Sequence, residues 1–276
     1  MFCDNISKSV IFTAMGIDSS EIIETIGRFS PITLEEMDTV RLMNRTDTKY
    51  LFHTGRLPEI LERSSDLYRI LTIDESRIFK YNSLYLDTPQ LKTYLDHHNG
   101  IRPRYKVRFR EYEDTGTIYL EVKRKIANER TRKSRIKTDR IEHELSEKSM
   151  TYIKEQSPLN ASELHPALWT IFRRITLVGR RDPERITIDI DISFRHKNKE
   201  KGLPFLTICE VKRDQSKGST DFMKILKAER IYPGSSSKYC LGTIFLKSPV
   251  KYNLFKSNIL KINKLENVYR SYPATG

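Results

Sequence analysis

The sequence predicts an α+β domain of about seven or eight antiparallel strands with helices between them, barrel-like rather than doubly wound. Three observations carry that prediction. Ionised and apolar residues alternate with a period of two, most clearly where Arg104, Lys106, Arg108 and Arg110 interleave with Tyr105, Val107 and Phe109; in a strand every second side chain shares a face. Turn-forming residues separate such segments, as in Glu113-Asp114-Thr115-Gly116 between residues 104–112 and 117–126, which reads as a hairpin connection with glycine near its end. No strand–helix–strand rhythm runs along the chain, so a parallel sheet is not expected.

Residues 1–30 lack a sustained period and read as a peripheral extension with a short helix around 20–26. A helix over 33–43 opens with Thr33 and Glu36, the spacing of a capping box, and leads into a strand over 45–52 on which Arg45, Asp47 and Lys49 share a face. A helix over 56–64 and strands over 67–73 and 78–87 follow. Pro89 suits the first turn of a helix running to His98, where Asn99-Gly100 stops it. After the hairpin, 127–137 is dense in Arg and Lys, with Lys133, Ser134 and Arg135 close to the next strand. A helix over 145–156, a Pro-flanked segment over 158–166 and strands over 169–178, 185–194 and 205–212 come next, then a helix over 221–229 and a last ordered segment over 237–247. The tail from Pro249 is Lys-rich and amphipathic, with the pattern of a helix. The domain reading is an extension over 1–30, one domain over 31–248 and a tail over 249–276.

A solvated strand face usually mixes charges of both signs with neutral polar residues, yet the 104–110 face is cationic at each polar position. Like charges abreast repel unless something negative offsets them. Ionised faces recur where Thr117, Tyr119, Glu121, Lys123 and Lys125 alternate with Ile118, Leu120 and Val122. They recur again where Arg185, Thr187, Asp189, Asp191, Ser193 and Arg195 alternate with Ile186, Ile188, Ile190, Ile192 and Phe194. Two arrangements satisfy this pattern: an open sheet with its charged face in water, or a closed one whose charged rows line a tunnel.

A formal net charge of +13 over 276 residues calls for a polyanionic partner: nucleic acid, an acidic membrane surface or phosphate chains. Nucleic acid ranks low, because the aromatics mostly fall on the apolar faces opposite the cations, whereas single-strand binders present both together. Cys3, Cys209 and Cys240 are odd in number and far apart, which suggests neither a disulfide framework nor a zinc site and fits a reducing cytoplasm. No GxxxxGK[ST] or GxGxxG occurs among the 11 glycines, which argues against P-loop and dinucleotide-binding enzymes. No apolar run approaches the ~18 residues that span a bilayer, and no signal-peptide core is expected. Any membrane partner would then be a separate protein.

Arg45-x-Asp47-x-Lys49-Tyr50, Ser83-Leu84-Tyr85-Leu86-Asp87, Arg108-x-Arg110, Leu120-Glu121-x-Lys123, Lys133-Ser134-Arg135, Arg185-x-Thr187-x-Asp189, Cys209-Glu210-x-Lys212 and Ser237-Lys238-Tyr239 follow the order typical of the VTC domain. Over about residues 40–247 the chain resembles this polyphosphate polymerase domain of the triphosphate tunnel metalloenzymes. The resemblance implies an eight-stranded antiparallel tunnel barrel with a charged interior and helices outside. It also implies transfer of the terminal phosphoryl group of a nucleoside triphosphate to a growing polyphosphate chain, with a divalent metal, Mn²⁺ or Mg²⁺. Carried over by position, Arg108, Arg110, Lys123 and Lys238 become the catalytic cations, and Arg45, Lys49, Lys133, Arg135, Arg174, Arg185, Lys212 and Ser237 the phosphate ligands. Glu210 and Glu121 become the metal carboxylates.

The chemistry of these residue types suits the roles. A loose phosphoryl-transfer transition state needs positioning and charge neutralisation more than covalent help; Arg offers a fork to two oxygens and Lys a point charge. Related tunnel phosphatases carry Glu-x-Glu-x-Lys where this chain has Arg45 and Asp47, which favours polymer handling over hydrolysis. Phe172 stands where a Tyr is common, and Ser235 where the eukaryotic pattern has Lys. Alternatives stay open at the acids: Glu121 pairs with a neighbouring Lys across the hairpin more readily than with metal, and Asp189 and Asp191 pair with Arg or Lys at least as readily as with metal. A triphosphatase and a catalytically idle polyphosphate binder are the alternative functions.

Overall fold

The computed structural model describes residues 19–39, 45–126, 131–216, 218–249 and 251–271. Its elements in chain order are α1 (Ser19–Gly27), β1 (Ser30–Ile32), α2 (Leu34–Thr39), β2 (Arg45–His53), α3 (Leu57–Ser64), β3 (Tyr68–Leu71), β4 (Phe79–Asp87), α4 (Lys92–His98), β5 (Arg104–Tyr112), β6 (Thr117–Lys125), β7 (Thr131–Thr138), α5 (Glu147–Gln156), β8 (His165–Gly179), β9 (Glu184–His196), β10 (Lys199–Leu203), β11 (Leu206–Asp214), α6 (Asp221–Ala228), β12 (Pro233–Gly234), α7 (Lys238–Lys247) and α8 (Lys256–Ser271). The capping box forms as its spacing requires: the Glu36 backbone N–H donates to the Thr33 hydroxyl at 3.2 Å and the Thr33 N–H to the Glu36 carboxylate at 2.9 Å. The expected helix end at 40–43 lies outside the described residues.

The strands make one 12-stranded sheet in the order β12-β2-β11-β9-β8-β4-β5-β6-β7, with β10 on β9 and β3 joining β8 to β1. Apart from the parallel β1–β3 pair, every pairing is antiparallel. Antiparallel sheet with interspersed helices is thus the architecture. The eight-stranded closed barrel is corrected to an open sheet ending in β12 and β7. The additional strands β1, β10 and β12 are two to five residues long, too short for a period of two to declare itself.

Other corrections are local. Helix α4 begins at Lys92, so Pro89 belongs to the turn before it: Asp87 accepts from the backbone N–H of Thr88 and of Thr93, both at 2.8 Å, and organises that turn. Lys133, Ser134 and Arg135 lie within a strand, β7, paired residue by residue with Lys123, Val122 and Glu121. The charged face read along 185–195 is broken by a β-bulge. The β8–β9 register shifts between Ile171 and Arg173, and Asp191 takes φ +50°. A bulge reverses the phase of alternation, so Ile192 and Phe194 join the apolar cluster that holds Leu51 and Ile208, whereas Ile186, Ile188 and Ile190 belong to the cluster on the other face. Asp191 pairs with Arg173 instead of facing the ionised row.

Two apolar layers cover one face of the sheet. Ile22 and Ile26 of α1, Leu57, Ile60 and Leu61 of α3 and Phe222 and Leu226 of α6 pack on Tyr50, Ile175, Ile186, Ile188 and Val211. Tyr152 and Ile153 of α5 pack on Val107, Phe109, Leu120 and Val122. Each fully buried side chain of this size contributes roughly 1.5–3 kcal/mol. The other face is apolar at one end, where α7 docks, and ionised at the other. Helix α7 lies so close that a Cβ on Gly242 would sit 2.6 Å from both Leu168 and Phe194, which only glycine avoids. Phe255 and Ile262, of α8 and its approach, complete that apolar end. No described helix is long and apolar enough to cross a membrane.

Candidate functional site

The ionised half of the inner face is a trough. Register places Arg108 opposite both Tyr85 and Glu121, Arg110 opposite Ser83 and Tyr119, and Lys123 between Lys106 and Lys133. On the other arm Arg174 faces Asp189, and Glu210 lies between Lys49 and Thr187. The N-terminus of α7 bridges the arms. Lys106 donates to Ser237 Oγ at 2.7 Å, Lys49 donates to the Ser236 carbonyl at 2.7 Å, and Lys238 pairs with Asp189. Ser237 can do this because it is the N-cap of α7, accepting from the Cys240 N–H at 3.3 Å.

One set of cations is compensated. Glu121 is 1 % exposed and takes Arg108 Nη2 at 2.6 Å and Lys133; Arg108 also donates to the Tyr85 hydroxyl at 2.8 Å. Burial alone would raise the Glu121 carboxyl, but the charges of Arg108, Arg110 and Lys133 outweigh it and hold it at about 2. Asp189 is a second such centre, gripped by Arg174 at 2.6 and 2.9 Å and by Lys238. Its burial is likewise overcome by those two cations, and it stays well below the usual carboxylate range. Arg110 is buried between them, donating to Ser83 Oγ at 3.2 Å with its guanidinium 5.3 Å from the centre of the Tyr81 ring and 5.9 Å from that of Phe172.

The second set is less balanced. Burial, then the charges of Lys49 and Lys106, pull Lys123 to about 7 although solvent in the trough reaches its side chain, and burial together with Lys49 and Arg104 lowers Lys106. Glu210 is the carboxylate beside them, 2.9 Å from Lys212 and 21 % exposed. Burial pushes it up, and Lys212, Lys49 and Lys123 together pull it well below its ordinary value. Burial also lowers Lys133, to about 8, against the pull of Glu121.

The trough thus gathers Lys49, Arg108, Arg110, Lys123, Lys133, Arg174, Glu121, Glu210, Lys212, Ser237 and Lys238. Three expected ligands share the trough's face by register and hold partners of their own. Arg45 pairs with Asp47 at 3.2 Å near the start of β2, Arg135 stacks 4.4 Å over Tyr119, and Arg185 donates to the Met37 carbonyl at 2.9 Å. Sequence reasoning missed His97, Cys240 and the part played by Lys106. Lys106 Nζ lies 3.0 Å from His97 Nδ1, which also meets Cys240 Sγ at 3.0 Å. Burial, then Lys106 and its cationic neighbours, lower His97 to about 2, so the ring is neutral and accepts. Lys106 was visible as part of the 104–110 row; His97 and Cys240 carry no spacing that links them.

As a cation site the trough is partial. Among the described residues no three His, Cys, Asp or Glu side chains converge to hold a metal ion, and Glu121 and Asp189 are each saturated by two cations. Glu210, with one cationic partner and the greatest exposure of the three, fits a divalent ion of the kind held by one or two carboxylates and substrate phosphates rather than a protein cage.

A family model described as the VTC domain matches residues 44–247. No curated protein sequence matches the chain. Among solved structures, one from Bacillus halodurans described as a proposed adenylate cyclase is similar at 14 % identity and a TM-score of 0.44, covering 71 % of this chain and 96 % of that one. Another, from Hippeastrum, described as a proposed adenylyl cyclase with a dominant triphosphatase activity, is similar at 12 % identity and a TM-score of 0.43, covering 72 % and 95 %. Likenesses this distant describe those proteins, not this chain.

Proposed function

Since the chain belongs to the VTC domain family, we propose that it is a metal-dependent polyphosphate polymerase acting on a nucleoside triphosphate. The observation that supports this most is the trough itself, where cations from β2, β5, β6, β7, β8 and α7 converge around the carboxylates of Glu121, Asp189 and Glu210. In the transfer, a terminal oxygen of the acceptor chain attacks the γ-phosphorus. The bond from that phosphorus to the β–γ bridging oxygen breaks, the nucleoside diphosphate leaves, and the acceptor is longer by one phosphate.

The guanidinium groups of Arg108, Arg110 and Arg174 suit the triphosphate. Their forks are fixed beforehand by Glu121, Ser83 and Asp189, and preorganised charge is what a loose transition state rewards. Lys49, Lys106 and Lys123 suit a chain that must move, because an ammonium binds as a point charge without a required orientation. Glu210 would hold the divalent ion, which when bound would neutralise charge on non-bridging oxygens.

Incubation with γ-labelled ATP and Mn²⁺ or Mg²⁺, with products resolved by size, tests this reading. The expected products are ADP and label in polymers longer than the starting triphosphate. Label released only as orthophosphate would make the protein a triphosphatase. Glu210→Gln is expected to abolish turnover while preserving the fold and much of the polyanion binding; activity surviving both this change and a chelator would overturn the metal requirement. A second reading, an idle polyphosphate-binding domain, is favoured by the saturation of Glu121 and Asp189, and tight binding without any ADP would establish it.

A further inference from the structure

A cavity of about 500 Å³ opens at the end of β2, lined by the apolar residues Leu51, Phe52, Ile231 and Leu265 and by His53, Arg230 and Lys261. That volume is within the range of sites that take small organic ligands, roughly 300–1,000 Å³. It lies where β2 runs on past β12, whose two residues pair only with Tyr50 and Lys49.

The polar groups are three hydrogen-bond donors, one of them buried and unpartnered. His53 Nδ1 accepts from the Gly55 N–H at 3.1 Å, so the ring proton is on Nε2, and that buried atom has no hydrogen-bond partner. Burial lowers the His53 pKa, which keeps the ring neutral. Lys261 is half-buried, has no carboxylate partner among the described residues, and is lowered by burial alone. Arg230, at the exposed rim, has no ion pair among the described residues. The carboxylate in the lining, Glu229, is already taken by Arg56 and by Arg63, the latter at 2.6 Å. The His53 Nε2–H, an unpaired buried donor, costs free energy that an acceptor would recover.

We propose that this cavity is a second binding site, separate from the trough, for a small organic anion: an acidic head on His53, Arg230 and Lys261 and an apolar body against Leu51, Phe52, Ile231 and Leu265. Ile231 is followed within a few residues by Ser236 and Ser237, which receive Lys49 and Lys106.

The probe is 8-anilinonaphthalene-1-sulfonate, an acid on an aromatic body, titrated into the full chain by fluorescence. Arg230→Ala with Lys261→Ala is expected to raise its Kd about tenfold or more. Ala228→Trp, at an exposed position in the lining, is expected to block it. Arg108→Ala with Arg110→Ala is expected to leave it within about twofold. Unchanged binding in either cavity variant overturns the proposal, and so does loss of binding in the trough variant. Because no nucleotide enters the assay, failure here and failure of the polymerase reading are separate results.

Discussion

The two ends of the trough use the same residue classes on the same face of one sheet, yet differ in charge balance. Around Glu121 and Asp189, each carboxylate is matched by two cations at hydrogen-bond distance, and burial is offset within the protein. Around Lys49, Lys106 and Lys123, burial and the charge of Lys49 lower Lys106 and Lys123, and the contacts of Lys49 and Lys106 are a backbone carbonyl, a hydroxyl and a neutral ring. The first end is balanced within the protein, and on the polymerase reading it would be the rigid clamp. The second is under repulsion until an anion arrives, so it should gain most from binding one.

The largest effect should come from the clamp. Arg108→Ala with Arg110→Ala removes two charge-assisted contacts, each worth roughly 1.5–3 kcal/mol, and triphosphate affinity measured by calorimetry should fall by their sum; equal affinity in variant and parent would break the assignment. Next, Asp189→Asn leaves Arg174 and Lys238 buried without their countercharge. Unfolding free energy from denaturant titration is expected to drop by about 3–5 kcal/mol, with part of the loss restored by added triphosphate, whose charge replaces the carboxylate.

The lysine end should respond with the opposite sign. Lys106→Met is expected to leave the ligand-free protein as stable as the parent or more so, while weakening triphosphate binding by about 1.5–3 kcal/mol. Destabilisation without any loss of affinity would erase the distinction between the two ends.

A smaller effect follows from titration. Lys123 at about 7 and Lys133 at about 8 are partly neutral in the free protein at mild alkaline pH, and a bound phosphate favours their charged forms. Binding must then take up protons, so affinity falls as pH rises from about 7 to 9, by at most about tenfold per unit for each proton taken up. Lys123→Arg, charged throughout, should flatten the profile in calorimetry. The smallest effect is expected from Lys92→Ala: an i,i+4 pair with Asp96 on the outside of α4, its lysine 57 % exposed, should change stability by less than about 0.5 kcal/mol and binding not at all.

Much of this was legible in the chain. Period-two alternation placed β2, β4, β5, β6, β8, β9 and β11, and the same alternation assigned Arg104 to Arg110 to one face, because in a strand sequence parity is face. The capping pair Thr33 and Glu36 and the hairpin at Gly116, which takes φ +60°, needed only local chemistry. Membership of the family was legible in the order of short motifs, and residues 44–247 carry it.

What the sequence could not decide were outcomes of tertiary packing. Parity fails where one inserted residue reverses it, and the bulge at Asp191 turned Ser193 and Arg195 away from the row that ends in Asp189. Whether an acid faces metal or cation depends on which strands become neighbours: β7 beside β6 brought Lys133 to Glu121, and α7 across the sheet brought Lys238 to Asp189. His97, Lys106, Cys240 and Ser237 meet only because α4 and α7 converge near the start of β5. The sequence alone determined strand faces and charge, which are local and periodic; pairing partners, and with them which charges are already satisfied, are set by contacts between residues far apart in the chain, and those were decided by the tertiary structure.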